Sequence, residues 1–268
     1  MSDGARRLRD AFPAHRPALA PYLMGGYPDP DASLAALRAV AEHADLIELG
    51  IPFSDPLADG PTIQAAGQRA LDAGVRPGDV LRIAEQLQDG PPVVLMTYVN
   101  LLLRVGPRVF FERAARAGVA GMIIPDLPID EGHELRDAAR RAGVAMVAMA
   151  APTTTDARLA AIGRQAEGFT YLVSVAGVTG GVVSVDDELR GFVERARRVI
   201  DTPLVVGFGI RTPEHAAAVG AFADGIAVGA EFIRAVERPD GPVAAGRLAA
   251  GLANALAACR PGDVNARK

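Results

Sequence analysis

Lysine is nearly absent from this chain: the only one is Lys268, in the last position. An amine that condenses with a carbonyl must sit in a folded site, so a lysine-dependent aldolase and an internal lysine holding pyridoxal phosphate are both excluded. Cysteine is equally scarce. Cys259 alone forbids an intramolecular disulfide and any multi-cysteine metal site, and it suits a reducing compartment. The histidines, His15, His43, His133 and His215, lie dispersed on segments of helical pattern, without ligand spacing or a carboxylate partner at helical offset. They read as solvated or capping residues, and no metal site is expected. Neither a Gly-x-x-x-x-Gly-Lys phosphate loop nor a Gly-x-Ser-x-Gly nucleophile elbow occurs.

Long apolar runs are missing too. No stretch reaches the roughly 18 uninterrupted apolar residues of a membrane span, and residues 1–10 are polar and charged where a secretory signal carries its apolar core. The expectation is a soluble, cytoplasmic protein with no membrane contact. A formal net charge of -4, with arginines scattered along helical segments, offers no basic stripe for a nucleic-acid backbone. An anionic small molecule is still compatible, because helix N-termini and backbone amides bind phosphate without net positive charge.

Half of the residues are hydrophobic and 22% are charged, enough to bury a large core. After a short amphipathic helix over 2–11 with Leu8 inward, a rhythm sets in: an apolar run, turn residues, a helical segment, the next run. The runs are 18–25, 45–50, 92–98, 120–126, 145–151, 169–175, 204–209 and 225–229. Helix-ending glycines stand before the next run at Gly118 and Gly143, where a left-handed cap is wanted. Near-continuously apolar strands, each followed by a helix, imply a parallel sheet covered on its outside. Eight such units predict an α/β fold of the closed (β/α)8 TIM-barrel type, one domain over 1–268, with a last helix around 242–258 and a frayed polar tail at about 260–268.

Barrel chemistry sits after the C-terminal ends of the strands. The second run holds one acid, Glu48, and breaks into a loop with Asp55 and Asp59. A carboxylate facing a packed interior costs several kcal/mol unless it is paired or protonated. Glu48 should therefore stand at the strand's solvent-facing end or act on a ligand, while Asp59, between Pro56 and Pro61, is placed to be polar. Acids in unlike environments have pKa values pushed apart, which lets one site hold a proton donor and a charged stabiliser. A salt-bridged strand-end Glu48 and a helix-capping Asp59 is the alternative. Thr97, Tyr98 and Asn100 follow the third run, Asp126 ends the fourth, and Tyr171 and Ser174 lie on the sixth. The last three loops are dense in glycine, at Gly177–Gly181, Gly207–Gly209 and Gly229–Ala230, in the region where barrels bind phosphate.

With these residues in place, the sequence resembles the tryptophan synthase α-subunit family. The block from Glu48 through Asp59 to Gln64 is almost that family's signature, and residues 24–28, 98–100, 125–128, 177–180 and 207–210 match in order. The resemblance covers about 15–258. It implies retro-aldol cleavage of indole-3-glycerol phosphate to indole and glyceraldehyde 3-phosphate in tryptophan biosynthesis, with neither metal nor cofactor in this subunit. By the same resemblance Glu48 is the acid/base at the ring carbon and Asp59 stabilises charge on the indole nitrogen. Tyr171 contacts substrate, Thr179 meets Asp59 on loop closure, and amides near Gly180, Gly209, Gly229 and Ala230 cradle the phosphate. It further implies a pyridoxal-phosphate β-subunit that receives indole in an α2β2 tetramer, with Pro52, Asp55, Asn100 and Asp126 at positions tied to that contact and to loop communication. Two departures stand out: Val175-Ala176 replaces the arginine-bearing sixth loop of many members, and Ala230 replaces a serine at the phosphate site. Another phosphate-binding barrel enzyme, a mainly regulatory subunit and a stand-alone lyase are the competing readings.

Overall fold

The computed structural model describes residues 1–173, 187–207 and 209–259. The strands are β1 (Ala18–Met24), β2 (Ile47–Gly50), β3 (Val93–Met96), β4 (Val119–Ile123), β5 (Ala145–Ala150), β6 (Thr170–Val173), β7 (Leu204–Gly207) and β8 (Gly225–Val228). They close in sequence order into a parallel barrel, β8 pairing back to β1. The helices among the described residues are α1 (Asp3–Asp10), α2 (Pro30–Ala41), α3 (Pro61–Asp72), α4 (Pro77–Glu85), α5 (Val99–Val105), α6 (Pro107–Arg116), α7 (His133–Ala142), α8 (Asp156–Gln165), α9 (Asp187–Arg197), α10 (Pro213–Gly220), α11 (Ala230–Val236) and α12 (Gly241–Ala257). None of them is long and apolar enough to cross a membrane.

The predicted barrel is therefore present, with strands shorter than their apolar runs for identifiable reasons. The third run stops at Met96 because Tyr98 already caps α5. The seventh stops at Gly207, and Gly209 adopts a φ of 77° that no strand continues through. Gly118 and Gly143 take the left-handed conformation expected of them, with φ of 77° and 81°. The predicted tail, 260–268, lies outside the described residues.

Acids at the N-terminal ends of strands share one device. Asp45, just before β2, accepts the Leu19 N–H of β1 at 2.8 Å, and Arg16 grips it with two nitrogens at 2.7 and 2.8 Å. Asp224, just before β8, accepts the Leu204 N–H of β7 at 2.8 Å and is gripped by Arg197. Glu167, ahead of β6, accepts the Met146 N–H of β5 at 3.2 Å. In each case a carboxylate satisfies an amide within the first two residues of the neighbouring strand. The two-pronged contact of Arg16 with Asp45 fixes geometry as well as charge.

Helix α1 covers the same end of the barrel. Ser2 caps it, its Oγ accepting the Ala5 N–H at 3.2 Å. The Gly4 N–H donates to Gly143 O at 2.8 Å, and a Cβ on Gly4 would lie 1.9 Å from Ala120 O. Leu8 is fully buried and fills space left by Gly121 and Gly168, where added Cβ atoms would come within 2.7 and 2.8 Å of its Cδ1. Leu8→Ala should lower the stability of the chain by about 2–4 kcal/mol, the ordinary cost of an unfilled core cavity, read as a reduced midpoint in urea unfolding. A shift below about 0.5 kcal/mol would show that α1 merely rests on the barrel.

Candidate active site

At the opposite end of the barrel two acids, Glu48 and Asp59, each keep a buried oxygen without such a partner among the described residues. Glu48 lies in the interior of β2, between Tyr22 of β1 and Val94 of β3 in the register, and only 1% of its surface is exposed. Its Oε1 is buried and has no hydrogen-bond partner among the described residues. The expectation of a solvent-facing strand end is thus corrected: the β2 register holds Glu48 at cavity level, below Gly50 and the loop. Burial pushes its pKa up to about 8, so the carboxyl is mostly protonated at neutral pH.

Asp59 comes from the loop that follows β2. It is no helix cap: Gly60 takes that position on α3, without a side-chain bond. It is 8% exposed, and Oδ1 is buried without a partner. Burial raises its pKa to about 6, against an opposing hydrogen bond with Tyr98. The Tyr98 hydroxyl accepts the Ala58 N–H at 3.0 Å, and its ring stacks on Phe53 with centroids 5.1 Å apart. Gln64 Nε2 donates back to Asp59 O at 2.9 Å. Loop and α3 together thus hold the carboxyl over the barrel mouth. The predicted separation of the two acids holds in direction, with Asp59 shifted further upward than a polar loop would allow.

Both acids line one cavity of about 270 Å³, together with Tyr22, Met96, Tyr171 and Ile63. Tyr171 is 6% exposed on β6, as its place in the sixth run suggested. Two glycines make room for the rings. A Cβ on Gly50 would sit 2.1 Å from Tyr22 Oη, and one on Gly207 would sit 1.9 Å from Tyr171 Oη. Gly207 therefore serves the tyrosine, while Gly209, Gly229 and Ala230 line the cavity itself. The N–H groups of the first turn of α11 have no acceptor within the helix. Arg211 and Arg234 stand on the same wall, and Arg234 bridges α11 to α3 through Thr62 Oγ1 at 3.2 Å.

The remaining sequence candidates divide. Asp126 Oδ1 accepts the Val99 N–H at 2.9 Å, tying the loop after β4 to the start of α5. Asp55, on the loop after β2, and Asn100, in the first turn of α5, are exposed on this face, whereas Pro52 is buried. Thr179, Gly180 and the Val175-Ala176 departure lie outside the described residues, as does Ser174. Tyr22, Arg211 and Arg234 escaped the sequence reading. The register Tyr22↔Glu48 is the signal for the first. For the others it is a cation two residues past Gly209 and another one helical turn past Ala230. Among the described residues no cluster of three or more histidine, cysteine or acidic side chains has the arrangement of a metal site.

A family model described as tryptophan synthase alpha chain matches residues 8–259. The chain belongs to the tryptophan synthase alpha chain family. The tryptophan synthase alpha chain of Novosphingobium aromaticivorans is 44% identical over 261 residues, covering 95% of this chain and 98% of the relative. That of Gluconacetobacter diazotrophicus is 46% identical over 241 residues, covering 88% of each. Among solved structures, tryptophan synthase subunit alpha from Legionella pneumophila superposes with a TM-score of 0.87 at 34% identity, over 96% of this chain and 98% of that one. An aminoacrylate-bound tryptophan synthase from M. tuberculosis gives 0.85 at 36% identity, over 93% and 99%.

The buried acids bind their protons more tightly in the folded chain than the ordinary values of 4.5 and 3.8 allow. The stability they contribute is complete below those values and is lost as pH rises through about 6 for Asp59 and about 8 for Glu48. Urea unfolding at a series of pH values should show wild-type stability declining between about pH 4 and pH 8 by the order of a few kcal/mol and levelling off above that. Glu48→Gln, neutral throughout, should remove the upper part of that decline; parallel curves for both proteins would place Glu48 in contact with water.

Proposed function

We propose that this chain cleaves indole-3-glycerol phosphate into indole and glyceraldehyde 3-phosphate, the α reaction of tryptophan biosynthesis, and so acts as a carbon-carbon lyase. The observation that carries the reading is the pair of buried, differently titrating carboxyls in one apolar cavity of a family member. Protonated Glu48 delivers its proton to the ring carbon that bears the side chain. The positive charge so created on the indole nitrogen faces ionised Asp59. The bond to the side chain then breaks, its electrons returning to the ring, while the adjacent hydroxyl gives its proton to the Glu48 carboxylate. Indole and an aldehyde leave, and Glu48 is again protonated. Each step needs only proton transfer and a fixed charge.

Tyr171 packs beside the indole in this reading, and the backbone at Gly209, Gly229 and Ala230 receives the phosphate, with Gly180 and Thr179 joining from the sixth loop. Phosphate binding far from the reacting carbons supplies energy that holds them in place. The same reading places pyridoxal phosphate on a β-subunit rather than on this chain, and assigns the pair to an α2β2 assembly. Leu57, 89% exposed on the loop near Asp55, and Leu103, 54% exposed on α5 near Asn100, support an apolar docking surface there.

The purified chain should form indole from indole-3-glycerol phosphate slowly alone and faster with a β-subunit. Glu48→Gln should lose at least about 100-fold in either condition. Fast cleavage without the partner would mean a stand-alone lyase, and none in either condition would reject the reaction. Because Glu48 must be protonated and Asp59 charged, kcat/KM should peak between limbs near pH 6 and pH 8. A glycerol-phosphate analogue should inhibit Ala230→Ser about 5-fold more tightly than wild type, the gain of about 1 kcal/mol from one hydroxyl contact; equal inhibition would remove that contact from the phosphate site.

A further inference from the structure

Tyr22 carries a hydroxyl into the catalytic cavity without a strong acceptor to meet it. The residue pairs with Glu48 across β1 and β2 and is 4% exposed. Its Oη makes one long donation, to Met24 Sδ at 3.9 Å, and a thioether is a weak acceptor. The same cavity holds two carboxyl oxygens in the opposite condition: Glu48 Oε1 and Asp59 Oδ1 are buried and accept nothing from the described residues. A buried donor and a buried acceptor, each short of a partner in one enclosure, gain most by meeting each other.

Room for the hydroxyl is built into the backbone. Gly50 ends β2 where any Cβ would strike Tyr22 Oη, so the glycine lets the phenol reach cavity level. Asp59 is the better of the two acceptors. A phenol donates more strongly to an ionised carboxylate than to a neutral acid, and Asp59 loses its proton about two pH units before Glu48. Tyr22 itself stays protonated: burial first, then the charge of Asp59, with smaller effects from Tyr98 and Glu48, lifts its pKa well above the ordinary value.

We propose that Tyr22 is a positioning residue for the cleavage, its hydroxyl donating to the unpartnered oxygen of Asp59 so that this carboxylate is held charged and aimed at the indole nitrogen. Tyr98 holds the loop side of Asp59 and Tyr22 the barrel side, which fixes the carboxylate between two phenols while Glu48 keeps its proton. The assignment of a catalytic task to this contact rests on the proposed reaction.

Tyr22→Phe keeps the ring and removes the donor. In the complex with a β-subunit, kcat for indole formation should fall about 10-fold with KM changed less than 2-fold. The acidic limb of the pH profile should move up by about one unit, since Asp59 then protonates more readily. Met24→Leu, which removes only the sulfur, should leave both limbs where they are. Carbon-13 NMR of labelled aspartate carboxyls reads the same contact without turnover: the Asp59 signal should titrate higher in Tyr22→Phe than in wild type. An unmoved acidic limb and an unmoved Asp59 titration would overturn the proposal. If wild type itself makes no indole, the reaction is rejected, and the NMR titration still decides the hydrogen bond.

Discussion

Desolvation of a carboxyl that has no partner is the constraint on which this structure turns. Glu48 sits in the interior of a strand whose four residues are all buried, and among the described residues nothing neutralises it except its own proton. The cost of keeping an acid there falls on stability, and it grows as the proton is lost. What the chain obtains is a carboxyl that keeps its proton at neutral pH, from a residue type that is ordinarily ionised.

The rest of the barrel is consistent with treating that site as an exception. Asp45, Asp224 and Glu167, at the N-terminal ends of strands, each take an amide from the neighbouring strand, Asp45 under the two-nitrogen fork of Arg16 and Asp224 under one nitrogen of Arg197. Towards the C-terminal ends Asp126 still takes an amide, that of Val99, but Glu48 and Asp59 are each left with a buried oxygen unmet among the described residues. One end of the barrel is where carboxylates tie neighbouring strands together; the other holds the two acids that do not. The glycines follow the division, Gly121 and Gly168 yielding space to Leu8 below, Gly50 and Gly207 yielding it to tyrosine hydroxyls above.

Much of this was legible in the amino-acid order. Periodicity alone carried the eight strands and their closure, because a strand covered on both faces must be apolar throughout, and the block around Glu48 and Asp59 marked the site. Two things were not legible. The depth of Glu48 depends on the register between β1, β2 and β3, which residue spacing along one strand does not contain. The place of Tyr22 depends on the same register, and its hydroxyl reaches the cavity only because Gly50, far away in sequence, has no side chain. Arg211 and Arg234 were missed for a related reason: a cation in a loop or on a helix is ordinarily solvated, and only the closed barrel puts these two on the cavity wall.

The packing of α1 also fixes an order of events. Residues 3–10 leave the ribosome before every group they pack against, since Ala120, Gly121, Gly143 and Gly168 come well over a hundred residues later. Until then Leu8 has no seat, and β1 likewise waits for β8. The earliest segment of the fold is thus among the last to be placed. Folding of this chain is governed by contacts between its distant parts, and during synthesis an apolar helix face stays uncovered while the middle strands emerge.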